Sequence, residues 1–151
     1  MADNKRIIYP PVWLVLGLVG IFILDQYLPV VRFTGNAAMI VGSIAIVAGL
    51  LLLVLAGGSF RKADTDMIPF RDVRALVTDG VYRFTRNPMY LGMALILLGT
   101  ACTTGIASGL AVPLVFMAII EFRYIRPEES LLREQFGEDF DAYCQQVRRW
   151  L

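Results

Sequence analysis

Histidine is absent from this 151-residue sequence. The commonest general base near neutral pH and the commonest metal ligand are therefore missing. Cysteine is scarce: Cys102 and Cys144 stand far apart, without metal-ligand spacing. They supply no zinc or haem motif and no disulfide framework. Cys102 lies in an apolar run, where packing accounts for it. Charge is sparse as well, at 18% of residues, against about 25% in an ordinary soluble domain. The net charge of +1 points to no polyanion, so nucleic acid is not an expected partner. Glycine-rich phosphate signatures are missing too. There is no G-x-G-x-x-G between a strand and a helix, and no G-x-x-x-x-G-K loop. A soluble-type nucleotide domain does not fit in what remains.

What the chain has in abundance is apolar residue, 57% of the total. A chain of this length holds one domain, and a soluble domain this small could not bury so much. A helix needs roughly 20 apolar residues to cross a bilayer. Residues 12–28 fit, with Asp25 near one end, and residues 37–56 fit with no charge at all. A polar stretch follows at 57–87. The next apolar zone, which begins at Met89 and runs to Ile120, is too long for one span. Thr103, Thr104, Gly105, Ser108, Gly109 and Pro113 interrupt it. The expectation is a hairpin of spans at 88–103 and 106–122. The first apolar run reads as a retained helix rather than a signal peptide, since further apolar segments follow it. In the second span, Gly42, Ser43, Ala45, Ala48 and Gly49 permit close helix approach.

Charge sidedness orients this all-α, four-span bundle. Every basic residue except Arg32 falls in the N-terminus, the 57–87 loop or the C-terminal part. The positive-inside rule places all three in the cytoplasm, making a multi-pass integral membrane protein with both termini cytoplasmic. Residues 127–150 then read as amphipathic helices covering that end. Pro127, Glu128 and Glu129 suit a first turn, and Gly137 suits a helix end. Trp150 suits the headgroup level.

Two polar clusters share this compartment, residues 76–92 and residues 123–129, and the hairpin brings them together. Arginine and carboxylate then meet beside an apolar interior, where a zwitterionic cofactor could sit next to a lipid-soluble substrate. Each residue also has a plain structural role. Arg83 and Arg86 suit membrane anchors, Asn87 an N-cap with Pro88 at the first helical position, and Tyr90 an interfacial anchor. Glu128 and Glu129 suit dipole partners, and only one of them can face a given direction, since adjacent helical residues point about 100° apart. Glu121 is an acid at the end of an apolar helix, where a partner is needed. Arg86, Arg123 and Arg126 are the candidates.

The pieces Leu76-Val77-Thr78-x-Gly80-Val81-Tyr82, Arg86-Asn87-Pro88-x-Tyr90-Leu91-Gly92 and Glu128-Glu129, with Leu132, Phe136-Gly137 and Tyr143 downstream, form one pattern. It resembles the isoprenylcysteine carboxyl methyltransferase family, and the related phospholipid N-methyltransferases share its general form. The resemblance covers about residues 57–150. It implies an integral membrane enzyme that binds S-adenosylmethionine at the cytoplasmic helix ends. Carried over by position, it implies Asn87, Pro88, Met89, Tyr90, Glu128 and Glu129 around the cofactor. Arg86, Tyr90 and Glu128 are the expected catalytic residues. Two positions depart from the pattern. Tyr124 stands where the family has a basic residue for substrate handling, so Arg123 or Arg126 would substitute. Asn87 stands where eukaryotic members have histidine, which excludes histidine-dependent catalysis.

A sulfonium donor is already activated, so such a site supplies orientation and electrostatics to an in-line displacement. The expected partners are membrane lipids and a lipid-linked or hydrophobic acceptor, with no metal. A prenylated cysteine carboxylate, a phosphatidylethanolamine amine and a small hydrophobic thiol or amine all qualify. Two alternatives stand beside this. One is an NADPH-dependent reductase, because sterol reductases carry a similar Arg-x-Pro-x-Tyr-x-Gly segment. The other is a non-catalytic membrane scaffold.

Overall fold

The computed structural model describes residues 8–33, 35–62 and 75–151. Lys5, Arg6, Arg71 and Arg74, and with them part of the expected 57–87 loop, lie outside the described residues. Helix α1 runs Pro10–Tyr27, α2 Asn36–Lys62, α3 Pro88–Thr104 and α4 Ala111–Ile120. A π turn, Glu121–Ile125, carries α4 without a break into α5, Arg126–Phe136, and α6 follows at Glu138–Gln146. Among the described residues, Pro10–Tyr27, Asn36–Ser59 and Ser108–Phe136 are long and apolar enough to cross a membrane, while Pro88–Thr104 is a shorter apolar helix. The chain is an integral membrane protein of helices.

Prolines begin these helices and glycines end them. Pro10 and Pro88 occupy first helical positions, where their missing N–H costs nothing. Gly105 ends α3 at φ 70°, a left-handed conformation that only glycine adopts cheaply. Any Cβ there would also stand 2.6 Å from the Phe33 carbonyl oxygen.

Two boundaries differ from the hydropathy reading. α2 extends to Lys62, beyond the apolar residues that define its span. The helix expected to end at 122 does not end there. Charge begins at Glu121, but a charged side chain does not stop helical hydrogen bonding. Pro127 is the real local obstacle, since its ring crowds the carbonyl four residues back. The π turn lies directly before it, and the Arg126 N–H reaches five residues back to the Glu121 carbonyl.

α3 is the axis of the bundle. Leu91, Met93, Ala94, Leu97 and Ala101 on it are buried, and α1, α2 and α4 all pack against it. By contrast, Val15, Leu16, Val19 and Phe22 of α1 and Ile44, Val47, Leu51 and Val54 of α2 are exposed. Apolar faces of this extent belong against lipid. α2 meets α3 backbone to backbone. A Cβ on Gly42 would lie 2.7 Å from the Gly99 carbonyl oxygen, and one on Gly49 2.5 Å from that of Gly92. Gly99→Val is expected to destabilise the protein by about 2 kcal/mol or more through this overpacking. Gly20→Ala, which would meet nothing within 4 Å, should leave the melting curve in detergent nearly unmoved.

The loops at the end away from the basic clusters pair with each other. Phe33 N–H donates to the Gly105 carbonyl at 2.8 Å and Ala107 N–H to Val31 at 2.9 Å. Ser108 Oγ donates to the Leu28 carbonyl at 2.8 Å. These bonds satisfy backbone groups that lipid could not. Arg32 and Asp25 form an ion pair there, 2.8 Å apart. At the other end, Phe140, Tyr143 and Val147 make a small second core with Leu76, Leu132 and Phe136. It holds α5 and α6 against the segment that leads into α3.

Candidate active site

The start of α3 is built by residues that bond sideways. Asn87 takes the N-cap position, but its side chain does not cap the helix. Its Nδ2 donates instead to the Arg149 carbonyl at 2.9 Å. Thr85, 2% exposed, accepts from Asn87 N–H at 3.2 Å and donates to the same carbonyl at 3.3 Å. Arg86 N–H donates to the Arg148 carbonyl at 3.0 Å. A C-terminal strap thus lies across the entrance of α3. Ahead of it, the Tyr143 hydroxyl donates to the Tyr82 carbonyl at 2.6 Å. Burial pushes the Tyr82 and Tyr143 phenols up, so both stay protonated.

One turn into α3, Tyr90 meets α5. Its hydroxyl donates to Glu128 Oε1 at 2.8 Å. Burial pushes the Glu128 carboxyl up to about 7; the Tyr90 hydrogen bond opposes this and the neighbouring Glu129 adds to it. α5 carries Arg126, Glu128, Glu129, Arg133 and Glu134, so this carboxyl stands beyond the apolar part of its helix. Glu129 turns to the other side and pairs with Arg86 at 3.2 Å and Arg149 at 2.7 Å. Glu121 takes Arg149 at 3.0 Å, Arg126 at 3.1 Å and the Trp150 indole N–H at 3.2 Å.

The structure therefore brings Arg86, Asn87, Pro88, Tyr90, Glu128 and Glu129 together, with Met89 half-buried beside them. Arg123 and Arg126 are exposed on the outer side of the helix. The Arg126 guanidinium lies over the Phe122 ring, 4.2 Å from its centroid. Of the partners expected for Glu121, only Arg126 pairs with it. Of Glu121, Glu128 and Glu129, Glu128 is the one without an ion pair among the described residues.

Several members of this cluster do not stand out in the sequence. Arg149 reads there only as one more basic residue at this end, and Thr85 carries no signal at all. Tyr124, at the departing position, is 1% exposed. Its ring centroid lies 6.5 Å from that of Tyr90. Its hydroxyl accepts from Trp13 Nε1 at 2.9 Å and donates to the Ile8 carbonyl. The residue that replaces a basic group here ties the start of α1 to the π turn.

This cluster suits a zwitterion. Arg86 offers a guanidinium whose buried Nε has no hydrogen-bond partner among the described residues. Glu128 offers a carboxyl poised to ionise. Both stand beside helices that face lipid.

The chain is similar in sequence and in fold to known membrane methyltransferases. The phospholipid methyltransferase family model matches residues 37–139. A probable protein-S-isoprenylcysteine O-methyltransferase of rice, Oryza sativa, is 34% identical over 122 residues, covering 80% of this chain and 61% of that protein. The protein-S-isoprenylcysteine O-methyltransferase of Schizosaccharomyces pombe is 37% identical over 73 residues, covering 48% of this chain and 30% of that one. The solved structure of a eukaryotic intramembrane Ras methyltransferase, an isoprenylcysteine carboxyl methyltransferase, matches 99% of this chain and 55% of its own. Its TM-score is 0.63 at 25% identity. The chain thus spans less than two thirds of the rice relative's length.

Proposed function

We propose a reaction for this chain from one premise: it belongs to the phospholipid methyltransferase family. The chain transfers a methyl group from S-adenosylmethionine to a lipid-linked or hydrophobic acceptor. The transfer takes place at the cytoplasmic face of a four-span bundle, with both termini in the cytoplasm. The observation that carries this reading is the Tyr90–Glu128 contact at 2.8 Å, made between the two ends of the α3–α4 hairpin. It sets a carboxyl against the apolar axis of the bundle, with Arg86 nearby.

S-adenosylmethionine, when bound, supplies a methyl already activated by its sulfonium. Glu128 would hold the cationic part of the donor, and Arg86 its carboxylate. Tyr90 holds the Glu128 carboxyl in place and walls the site toward the membrane. Asn87, Pro88 and Met89 shape the pocket floor at the start of α3. Arg123 and Arg126, exposed at the outer face, meet polar groups of the incoming acceptor. A carboxylate acceptor needs no base. A protonated amine or a thiol does, and a carboxyl titrating near neutrality can take that proton. On transfer, the acceptor atom would bond the methyl carbon as the donor's carbon–sulfur bond broke, and the donor would leave as a neutral thioether.

Calorimetry on the detergent-purified protein tests the donor. Saturable binding of S-adenosylmethionine is expected, none of NADPH, and Arg86→Gln should weaken binding by about tenfold, the scale of one charge-assisted contact. Binding of NADPH in place of S-adenosylmethionine would replace this reading with the reductase.

A further inference from the structure

Two arginines converge on Glu129 and share it unequally. Glu129 is buried, with its side chain 11% exposed. Arg149 holds both of its oxygens, Nε to Oε1 at 3.0 Å and Nη2 to Oε2 at 2.7 Å. This is the bidentate geometry in which arginine binds carboxylate best. Arg86 reaches only Oε1, from Nη2 at 3.2 Å. Its side chain is 13% exposed, yet its buried Nε has no hydrogen-bond partner among the described residues. A buried guanidinium with an idle N–H has capacity left for another anion.

The strap fixes this division. The Arg149 carbonyl accepts from Thr85 and Asn87, the residues on either side of Arg86. The Arg86 N–H is itself bonded to the Arg148 carbonyl. Bonds to the backbone carbonyls of the strap therefore set the distance between the two arginines, and the shared glutamate pairs with both side chains.

We propose that Arg149 is a positioning residue: by occupying Glu129 it keeps the Arg86 guanidinium available to an anionic group of the bound donor. This rests on the donor reading given above. Without Arg149, the buried Glu129 carboxylate has Arg86 as its one remaining ion-pair partner among the described residues. Leaving that carboxylate half-satisfied is costly, which drives Arg86 to close on it. The anion site is then lost by competition rather than by unfolding. Neutralising Glu129 removes the competitor, so the loss of Arg149 should cease to matter.

The test is a double-mutant cycle with two readouts on the full chain in detergent. Calorimetry measures S-adenosylmethionine affinity in the wild type, Arg149→Gln, Glu129→Gln and the double variant. Phenylglyoxal labelling, mapped by mass spectrometry, reads how open the Arg86 guanidinium is in each. Arg149→Gln is expected to weaken binding at least about tenfold when Glu129 is present and less than about twofold when it is Gln. Arg86 labelling should fall several-fold in Arg149→Gln and recover in the double variant. Equal losses in the two backgrounds, or labelling of Arg86 that ignores Arg149, would overturn the proposal. If Arg149→Gln does not fold, Glu129→Gln against the double variant decides, with a further tenfold loss counting against it. A wild type that binds no donor while labelling moves as described would overturn the donor reading and leave the division between the two arginines standing.

Discussion

Glu128→Gln is expected to lower methyl transfer by at least about 100-fold, the scale of a lost charge at a site of acid–base or electrostatic work. The measurement is transfer of labelled methyl from S-adenosylmethionine into lipid extracted from a membrane preparation. Glutamine keeps the shape and can still accept from Tyr90, so folding should survive. What goes is the negative charge. The size of the effect follows from isolation: Glu121 and Glu129 are each held by arginines, whereas the Tyr90 hydroxyl is the one hydrogen-bond partner of Glu128 among the described residues. pH gives a second check with a definite sign. Because burial pushes the Glu128 carboxyl up to about 7, it is mostly protonated a unit below and mostly ionised a unit above. The ionised form is the one that meets a cationic donor. Donor affinity should therefore fall as pH drops below about 7, approaching tenfold per unit, and level off above it. Glu128→Gln should flatten that profile. Activity within threefold of wild type, or a pH profile that the substitution leaves unchanged, would remove Glu128 from the reaction.

Hydropathy and proline placement made the helices legible in the sequence. Bilayer length and charge alone located the apolar runs, and Pro88 and Gly105 marked where α3 starts and stops. The small residues of the second span pointed to close packing, and Gly42 and Gly49 do meet glycine carbonyls of α3. The central burial of α3 was not legible, because a lipid-facing helix and a protein-enclosed one are equally apolar. At the site, the grouping of Arg86, Tyr90 and Glu128 followed from a hairpin that returns the chain to one side. Which acid meets which arginine did not follow. Arg149 lies 62 residues from Asn87 along the chain and reaches it through backbone atoms, which leave no trace in residue type. Nor does a π turn, since it is a change in hydrogen-bond register and not in composition.

That register carries the second large expectation. Inserting one alanine after Phe122 adds a residue that the π turn, which already holds one more than an α turn, cannot absorb without turning the helix beyond it. Each residue of an α-helix advances the face by about 100°. α5 would turn by that amount against α4, and Glu128 would leave Tyr90 while Glu129 left Arg86 and Arg149. Methyl transfer is expected to drop below detection, a loss of about 1,000-fold or more, since both the charged contact and the alignment go together. The melting temperature should fall too, because buried Glu129 would lose both of its cations at once. Phe122→Ala is the matched control. It changes the side chain at the same place, which is 63% exposed, and keeps the residue count. It should retain most activity, losing only the contact with Arg126. The contrast separates side chain from register. If the insertion and the substitution behaved alike, the angle of α5 against α4 would not matter to the site. A lengthened chain that is inactive yet still folded in the membrane, beside an active Phe122→Ala, would show that this stretch sets the angle on which the Tyr90–Glu128 contact depends.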